Sequence, residues 1–298
     1  GWQFDRWDGS FPTTANPLTV TVASDLSLIA VFSEVPPPPP PPTGMTLVAD
    51  ITNEETAVGM VEYGGDLYIA VHTNPKNGTP GTIIRYNDLT GAYAVAFNLP
   101  GGAGIGGIRV LQGKLYVTSI DSAGVYGEVY VYDGATWQQV ITSPYAAAGL
   151  FDMEYYGGRF YATGYRGDGS AALYSSADGI TWAEIFTYRF DATAINRFTQ
   201  MAIFGTRLFF SPQVSNDPTI YTMGGPSVTM YCPYELFSYN GVAVTPVEFT
   251  DLIVQVTNMV VFNNALYLSI WSKNTDTPAM YRSTNGVNFE VVPYWGPS

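Results

Sequence analysis

A short strand–turn–strand passage occurs five times between residues 58 and 292, and it constrains the fold more than any other feature. Each copy begins with an apolar strand, passes through a tight turn, and resumes with Leu or Phe followed by an aromatic residue. Successive anchor residues are 48, 45, 48 and 58 positions apart. The anchors are Leu67, Leu115, Phe160, Leu208 and Leu266. A period of this length is typical of a propeller blade.

Each copy continues with a third strand, a polar turn and a fourth strand. Asp-Gly or Asn-Gly pairs occupy four of these turns, at 133–134, 178–179, 240–241 and 285–286. Such pairs favour two-residue hairpins, because both central residues need positive φ. Four strands in each of five copies predict an all-β fold, with a five-bladed β-propeller over residues 45–298. A β-sandwich is the alternative, but it does not explain the repeated passage.

Two further expectations follow from the repeat. All five anchor residues occupy the same position in their copies, so we expect all five to be buried. We also expect the innermost strand of each blade near residues 60–63, 107–111, 151–155, 199–203 and 258–262.

One of the polar turns has a recognisable sequence. The passage Ser176-Ala177-Asp178-Gly179-Ile180-Thr181-Trp182 resembles the Asp-box of sialidase-like propellers, although it lacks the residue between Asp and Gly. The repeat region as a whole resembles propellers of the kelch and Asp-box kind. The resemblance implies a structural hairpin on the face away from an active site. We therefore interpret Asp178 and Trp182 as fold-forming residues without a ligand role.

Seven consecutive prolines, residues 36–42, separate the repeats from a short N-terminal part. Such a run adopts polyproline II at about 3.1 Å per residue, which gives a semi-rigid spacer of roughly 22 Å. A ligand for an SH3-type groove is the functional alternative. Glu34-Val35 before the run and Thr43-Gly44 after it contain no basic residue. We interpret residues 34–44 as a linker.

Residues 1–33 form the short part before the linker. Alternating apolar residues predict strands at 18–22 and 26–30, joined near Ser24-Asp25. A recognisable sequence motif runs through this part. Its residues are Gly1, Trp2, Phe4, Trp7, Gly9, Asn16, Pro17, Leu18, Val20, Ala30 and Phe32. In this pattern the part resembles the second half of a bacterial InlB-type B-repeat. The resemblance implies a partial β module of a stalk on a bacterial or phage surface protein, with more chain upstream of Gly1.

Composition excludes several classes of function. The net charge of −13 and the pI of about 4.3 disfavour a polyanionic partner, so we expect no nucleic-acid binding. The single cysteine, Cys232, excludes an intrachain disulfide and a cysteine zinc cluster. The single histidine, His72, leaves little room for imidazole chemistry, and we expect no metal and no cofactor. No apolar run approaches the roughly 20 residues of a membrane helix, so we expect no membrane insertion.

The lengths of the loops point to a binding end. Turns between the first and second strands and between the third and fourth strands are short, whereas the loops and connectors at the opposite end, among them 164–170 and 212–232, are long and irregular. Rigid scaffolds carry binding groups on such variable loops. The candidate binding residues at that end are Tyr165, Arg166, Asp168, Tyr188, Arg189 and Trp271. Aromatic rings stack on sugars while Arg and Asp form directional hydrogen bonds; the alternative is that these aromatic residues pack between blades.

These observations favour a non-enzymatic propeller on a stalk, outside the cell, on a cell surface or on a virion. It would bind a glycan, a cell-surface receptor or a neighbouring subunit through its long-loop end, as an adhesin does. One alternative is a purely structural subunit that decorates a filament, sheath or capsid. The second alternative is a propeller-type glycoside hydrolase, which needs two or three carboxylates in the central cavity. The predicted inner strands offer Glu62, Asp152 and Glu154 for this purpose.

Overall fold

The computed structural model describes residues 2–10, 12–13, 19, 27–34, 56–72, 80–87, 89–102, 104–120, 127–142, 147–189, 192, 194–215, 236–247, 249, 253–272 and 277–292. The chain divides into two compact parts, Gly1–Asp50 and Ile51–Ser298. We call them the N-terminal segment and the repeat region. The proline run at 36–42 lies outside the described residues. No helix in the described part of the chain is long and apolar enough to cross a membrane.

The described part of the N-terminal segment contains an antiparallel pair of strands, β1 (Trp2–Gly9) and β2 (Leu28–Glu34). The strand expected at 26–30 corresponds to the beginning of β2, and β1 was not predicted. The strand expected at 18–22 lies outside the described residues apart from Thr19. The pairing places Phe4 opposite Phe32, with ring centroids 5.8 Å apart, and the Trp7 ring lies 5.4 Å from Phe4. Aromatic residues that carry the B-repeat resemblance therefore pack together.

The repeat region is all-β, as predicted, and each repeat contributes four antiparallel strands in chain order. Repeat 1 contains β3 (Thr56–Tyr63), β4 (Asp66–His72), β5 (Thr82–Asn87) and β6 (Ala92–Asn98). A 3₁₀ turn follows at Pro100–Gly102. Repeat 2 contains β7 (Gly104–Leu111), β8 (Lys114–Ile120), β9 (Glu128–Tyr132) and β10 (Trp137–Thr142). Repeat 3 contains β11 (Ala147–Tyr156), β12 (Arg159–Arg166), β13 (Ala171–Ser176) and β14 (Trp182–Tyr188). Repeat 4 contains β15 (Ile195–Phe204), β16 (Arg207–Ser215), β17 (Leu236–Tyr239) and β18 (Val244–Val247). Repeat 5 contains β19 (Ile253–Phe262), β20 (Ala265–Ser272), β21 (Thr277–Ser283) and β22 (Glu290–Val291).

Tight turns join the first and second strands of every repeat. In four of them both central residues have positive φ, which is the geometry of a two-residue type I′ hairpin. These pairs are Gly64-Gly65, Gln112-Gly113, Gly157-Gly158 and Asn263-Asn264. Gly205 supplies the positive φ in the remaining repeat. The sequence therefore predicted the turns between the first and second strands correctly.

The turns between the third and fourth strands differ from the prediction. Tyr132 pairs with Trp137 across four residues, not two, because the Asp or Asn side chain holds a wider loop. In the Asp-box-like turn, Asp178 Oδ1 accepts hydrogen bonds from the backbone N–H of Ile180 at 2.8 Å and of Thr181 at 2.7 Å. Asp133, Asn240 and Asn285 accept the same two bonds in their own loops. The buried Trp182 donates its indole N–H to the Gly179 carbonyl at 3.1 Å, so Asp178 and Trp182 do stabilise the turn.

Four hydrophobic clusters join consecutive repeats, one for each pair from repeats 1 and 2 to repeats 4 and 5. Leu115, Phe160, Leu208 and Leu266 lie in these clusters and are buried, as expected. Leu67 is only half-buried, so the expectation for the first anchor is wrong. It packs in a fifth cluster whose described members all belong to repeat 1, and no described residue of another repeat covers it there.

Candidate functional site

The first strands of all five repeats border one central cavity of about 220 Å³. These strands contain the residues that the sequence predicted to be innermost. Each strand has a β-bulge or an irregular register where it reaches the cavity. The residues next to these irregularities form one equivalent position in the five repeats: Gly59, Gly107, Asp152, Gln200 and Asn258. Bulges re-aim side chains and are frequent beside binding sites.

The glycine at one of these positions, Gly107, and its neighbour Gly106 have a steric cause. A Cβ on Gly107 would lie 2.4 Å from the Phe151 carbonyl oxygen, and one on the neighbouring Gly106 would lie 2.0 Å from the Leu150 oxygen. Strands β7 and β11 therefore approach too closely for any side chain between them. This close approach brings Arg109 of β7 within reach of the acidic residues of β11.

The Asp152 side chain at the cavity accepts four hydrogen bonds. Its carboxylate receives the Arg109 guanidinium in a bidentate pair, at 2.8 Å from Nε and 2.7 Å from Nη2. It also accepts the backbone N–H of Met153 and of Met201, each at 2.9 Å. Arg109 belongs to repeat 2, Asp152 to repeat 3 and Met201 to repeat 4. One buried carboxylate therefore ties three repeats together.

Glu154 follows Asp152 on the same face of β11 and lies 3.9 Å from Arg109 Nε. Burial of its carboxyl, with the nearby Asp152 charge, raises the pKa of Glu154 to about 7, although Arg109 acts in the opposite direction. The Asp152 charge in turn raises the pKa of the Arg109 guanidinium above its ordinary value. Glu154 does not border the central cavity, and Glu62 is exposed.

The structure places the two candidate tyrosines in the core. Tyr165 is only 6% exposed, and its ring packs against Phe151 with centroids 6.1 Å apart. Tyr188 is half-buried and packs against Phe186 and Phe237, at 6.3 and 5.5 Å. We expected both rings to be exposed for stacking on a sugar. This expectation is wrong for Tyr165, which is buried, whereas Tyr188 is half-buried and only part of its ring is open to solvent. Packing between strands and repeats, the alternative from the sequence, describes both rings.

The candidate charged residues do lie together. Arg166 forms ion pairs with Asp168 at 3.7 Å and with Glu184 at 3.5 Å. Arg189 lies beside the same turn, where its Nη2 donates to the Ala192 carbonyl at 2.6 Å. The backbone N–H of Ser170 donates to Asp168 Oδ1 at 2.9 Å, and this bond lowers the pKa of Asp168. We call Arg166, Asp168 and Arg189 the charged tip.

The charged tip stands on a rigid support. The predicted loop 164–170 is shorter in the structure, because β12 continues to Arg166 and the turn spans only 167–170. The Gly169 carbonyl accepts two hydrogen bonds from the fully buried Asn196, from its backbone N–H at 2.8 Å and from Nδ2 at 3.0 Å. The neighbouring strand β15 therefore fixes the turn. Trp271, the remaining candidate, lies in β20 opposite Gln255 and Pro278, and its side chain is outside the described part of the chain.

Sequence reasoning did not find the polar positions of the cavity as a set. Asp152 was noted, but Gln200 and Asn258 were not. The sequence did contain a signal that could have found them. When the five repeats are aligned on their anchor residues, Asp152, Gln200 and Asn258 fall at the same position as Gly59 and Gly107. Large parts of three of the long loops on which the binding face was predicted, residues 73–79, 121–126 and 216–232, lie outside the described residues.

No family model matches the chain, and no curated protein matches it. The resemblance of residues 1–33 to a B-repeat therefore stays a hypothesis. Among solved structures, a chain of the Nidogen/Laminin complex is similar, with a TM-score of 0.45 and 13% sequence identity. The similarity covers 73% of this chain and 71% of that chain.

Proposed function

We propose that the repeat region is a five-bladed β-propeller that acts as a non-enzymatic binding module. It presents the charged tip to a glycan or protein on a cell surface, or to a neighbouring subunit of an assembly. The proline run and the N-terminal segment serve as its spacer and stalk, in an extracellular, cell-surface or virion setting. The observation that carries the proposal is the charged tip itself: Asp168 lies on a turn that Asn196 holds in place, and Arg166 and Arg189 lie beside that turn.

Preorganisation is the physical reason for this choice. A turn that is already ordered loses little conformational entropy on binding. Arginine forms directional, charge-assisted hydrogen bonds with carboxylates and hydroxyl-bearing partners. Both arginines stand out in a chain that has only 12 basic residues and a net charge of −13. Because Tyr165 is buried, recognition rests on polar contacts and not on its stacking.

Glycoside hydrolysis receives little support from the central cavity. Both oxygens of Asp152 are occupied by four donors, two from Arg109 and two from the backbone. A catalytic acid or nucleophile must be free to reach substrate. Glu154 does not border the cavity, so the described residues provide no second carboxylate there. A structural subunit that decorates a filament, sheath or capsid remains the alternative. The binding test below distinguishes it from a binding module.

The test compares two double variants with the same change of charge. Arg166→Ala with Arg189→Ala removes both arginines of the charged tip. Arg159→Ala with Arg207→Ala removes two exposed arginines at the first residues of β12 and β16, whereas Arg166 is the last residue of β12. Binding is measured on glycan arrays and on whole cells with the full chain. We expect the first variant to lose at least about tenfold in affinity and the second to bind like the parent. Equal binding by both variants, with melting temperatures unchanged, would refute the assignment of the charged tip.

A further inference from the structure

The fourth strand of every repeat ends its sheet, and no described strand pairs with its outer edge. Natural proteins protect such edges with short strands, charged side chains or proline, because an open edge accepts a strand from another chain. Three of the edges have this protection: β14 contains Glu184, β18 contains Pro246 among four residues, and β22 has two residues, of which Glu290 is one. The edge of β10 exposes two polar residues, Gln138 and Gln139.

Strand β6, the fourth strand of repeat 1, has none of these features. It is seven residues long and contains no charged residue, no proline and no glycine. Ala92 and Ala94 are exposed on one of its faces, and Tyr93 and Val95 are 53% and 60% exposed on the other. The register shift between β5 and β6 lies beyond Val95, so these four residues form a regular ladder with β5. Uncharged segments of this kind, with high β-propensity, readily pair with a strand of another chain.

The neighbouring strand adds no net charge to this edge. β5 contains one charged residue, Arg85, which lies opposite Ala94 in the strand pairing. The Arg85 guanidinium is neutralised by the Asp66 carboxylate, with Nε 2.6 Å from Oδ2. Like charges that lie opposite each other destabilise a strand pair. A second strand added to β6 therefore meets no charge on β6 and a compensated ion pair behind it.

We infer that β6 pairs with β6 of a second copy of the chain, antiparallel and in a register centred on Ala94. This register places Tyr93 of each copy opposite Val95 of the other, and it places the two Ala94 residues opposite each other. Aromatic and β-branched residues are favourable cross-strand partners. The same strand serves both copies, as in the isologous interface of a two-fold dimer.

The side chains of β6 favour a second copy over an unrelated extended peptide. A peptide that adds to a sheet edge obtains its specificity from pockets for alternate side chains. Two of the four exposed positions on β6 are alanine, which forms no such pocket. A second copy brings a strand of equal length with the same uncharged pattern. The net charge of −13 opposes association of two copies, so the contact is weak at low salt and strengthens when salt screens the repulsion.

Sedimentation equilibrium of the full chain, over a range of protein and salt concentrations, tests the pairing. We expect a reversible dimer that becomes tighter as salt is added. Val95→Lys places a charge on the open edge, and we expect it to weaken the dimer at least about tenfold. The matched control is Ile185→Lys, which makes the same change of charge at an exposed aliphatic residue of β14 and is expected to dimerise like the parent.

Cysteine cross-linking tests the register, with Cys232→Ser as the background. Ala94→Cys faces its own counterpart across the two-fold axis, so we expect oxidation to give a covalent dimer. The matched control is Ala183→Cys, an exposed alanine of β14, for which we expect little dimer at the same protein concentration.

Four results would overturn the inference. The first is a parent chain that stays monomeric at every protein and salt concentration. The second is a Val95→Lys variant that dimerises like the parent, and the third is an equal yield of covalent dimer from Ala94→Cys and Ala183→Cys. A dimer that weakens as salt is added would assign the contact to ion pairs instead of β6. None of these outcomes depends on what the charged tip binds.

Discussion

Asp152 offers the sharpest test of how the repeats are held together. Replacing it with Ala removes four hydrogen bonds at once and leaves Arg109 facing the cavity without its bidentate partner. Removing one member of a buried ion pair costs about 3–5 kcal/mol. The Arg109 side chain is 34% exposed, so water recovers part of that loss. We therefore expect Asp152→Ala to lower the free energy of unfolding by about 3 kcal/mol, which is the lower end of that range.

The assay is urea unfolding of the full chain, followed by tryptophan fluorescence, together with the melting temperature. A loss of this size lowers the melting temperature of a region of about 250 residues by roughly 6–12 °C. Asp152→Asn keeps one acceptor oxygen and the shape of the side chain, so we expect an intermediate effect.

The control for Asp152 is Asp66→Ala. Asp66 is also a nearly buried carboxylate, but its partners Arg85 and Asn87 belong to its own repeat, and Arg85 is 53% exposed. We expect a smaller loss there. A loss of less than about 1 kcal/mol for Asp152→Ala, or one no larger than for Asp66→Ala, would refute the idea that this carboxylate ties three repeats.

Three further predictions concern stability. Folding raises the pKa of Glu154 from 4.5 to about 7, so the stability of the protein falls as the pH rises between these values. Glu154→Gln removes this pH dependence. At pH 8 we expect the variant to be more stable than the parent by up to about 3 kcal/mol. A parent and variant that differ by the same amount at pH 4 and pH 8 would contradict it. Leu208→Ala empties a fully buried anchor and costs about 2–5 kcal/mol by urea unfolding, whereas a loss below about 1 kcal/mol would place Leu208 outside the core. Asn240→Ala loses two hydrogen bonds to the loop and costs about 1–2 kcal/mol, while Asn240→Asp keeps both, as Asp133 does, and is expected to be nearly neutral in the same assay.

The repeated passage carried most of the architecture. Anchor spacing, the alternation of apolar residues and the glycine-rich first turns predicted an all-β chain, the division into four-stranded repeats and the positions of the innermost strands. These features are local, because turn geometry and strand patterning depend on residues a few positions apart. The same locality explains the turn at Asp178, although its loop proved wider than predicted, since a side-chain hydrogen bond competes with the two-residue hairpin.

The candidate site was less predictable, and its charged and aromatic residues differ in this respect. The sequence could indicate that Arg166, Asp168 and Arg189 lie together, because charged residues in one chain segment and the next connector stay near a common turn. Tyr165 was misjudged because an aromatic residue at the end of a strand has the same sequence signal whether it faces solvent or a neighbouring ring. Only the position of Phe151, on a different strand, decides that Tyr165 is buried.

The sequence by itself determined the repeat, the strand order within each repeat and the identity of the anchors. The tertiary structure alone decided which polar residues meet: Arg109, Asp152 and the Met201 N–H come from three repeats and are separated by 43 and 49 positions. It also decided that Leu67, which occupies the same position in its repeat as the other anchors, is only half-buried. Burial depends on what packs against a face: residues of the preceding repeat cover the other four anchors, whereas no described residue of another repeat covers Leu67. A repeating sequence specifies equivalent faces, but only the packing of one repeat on another determines which of them are covered.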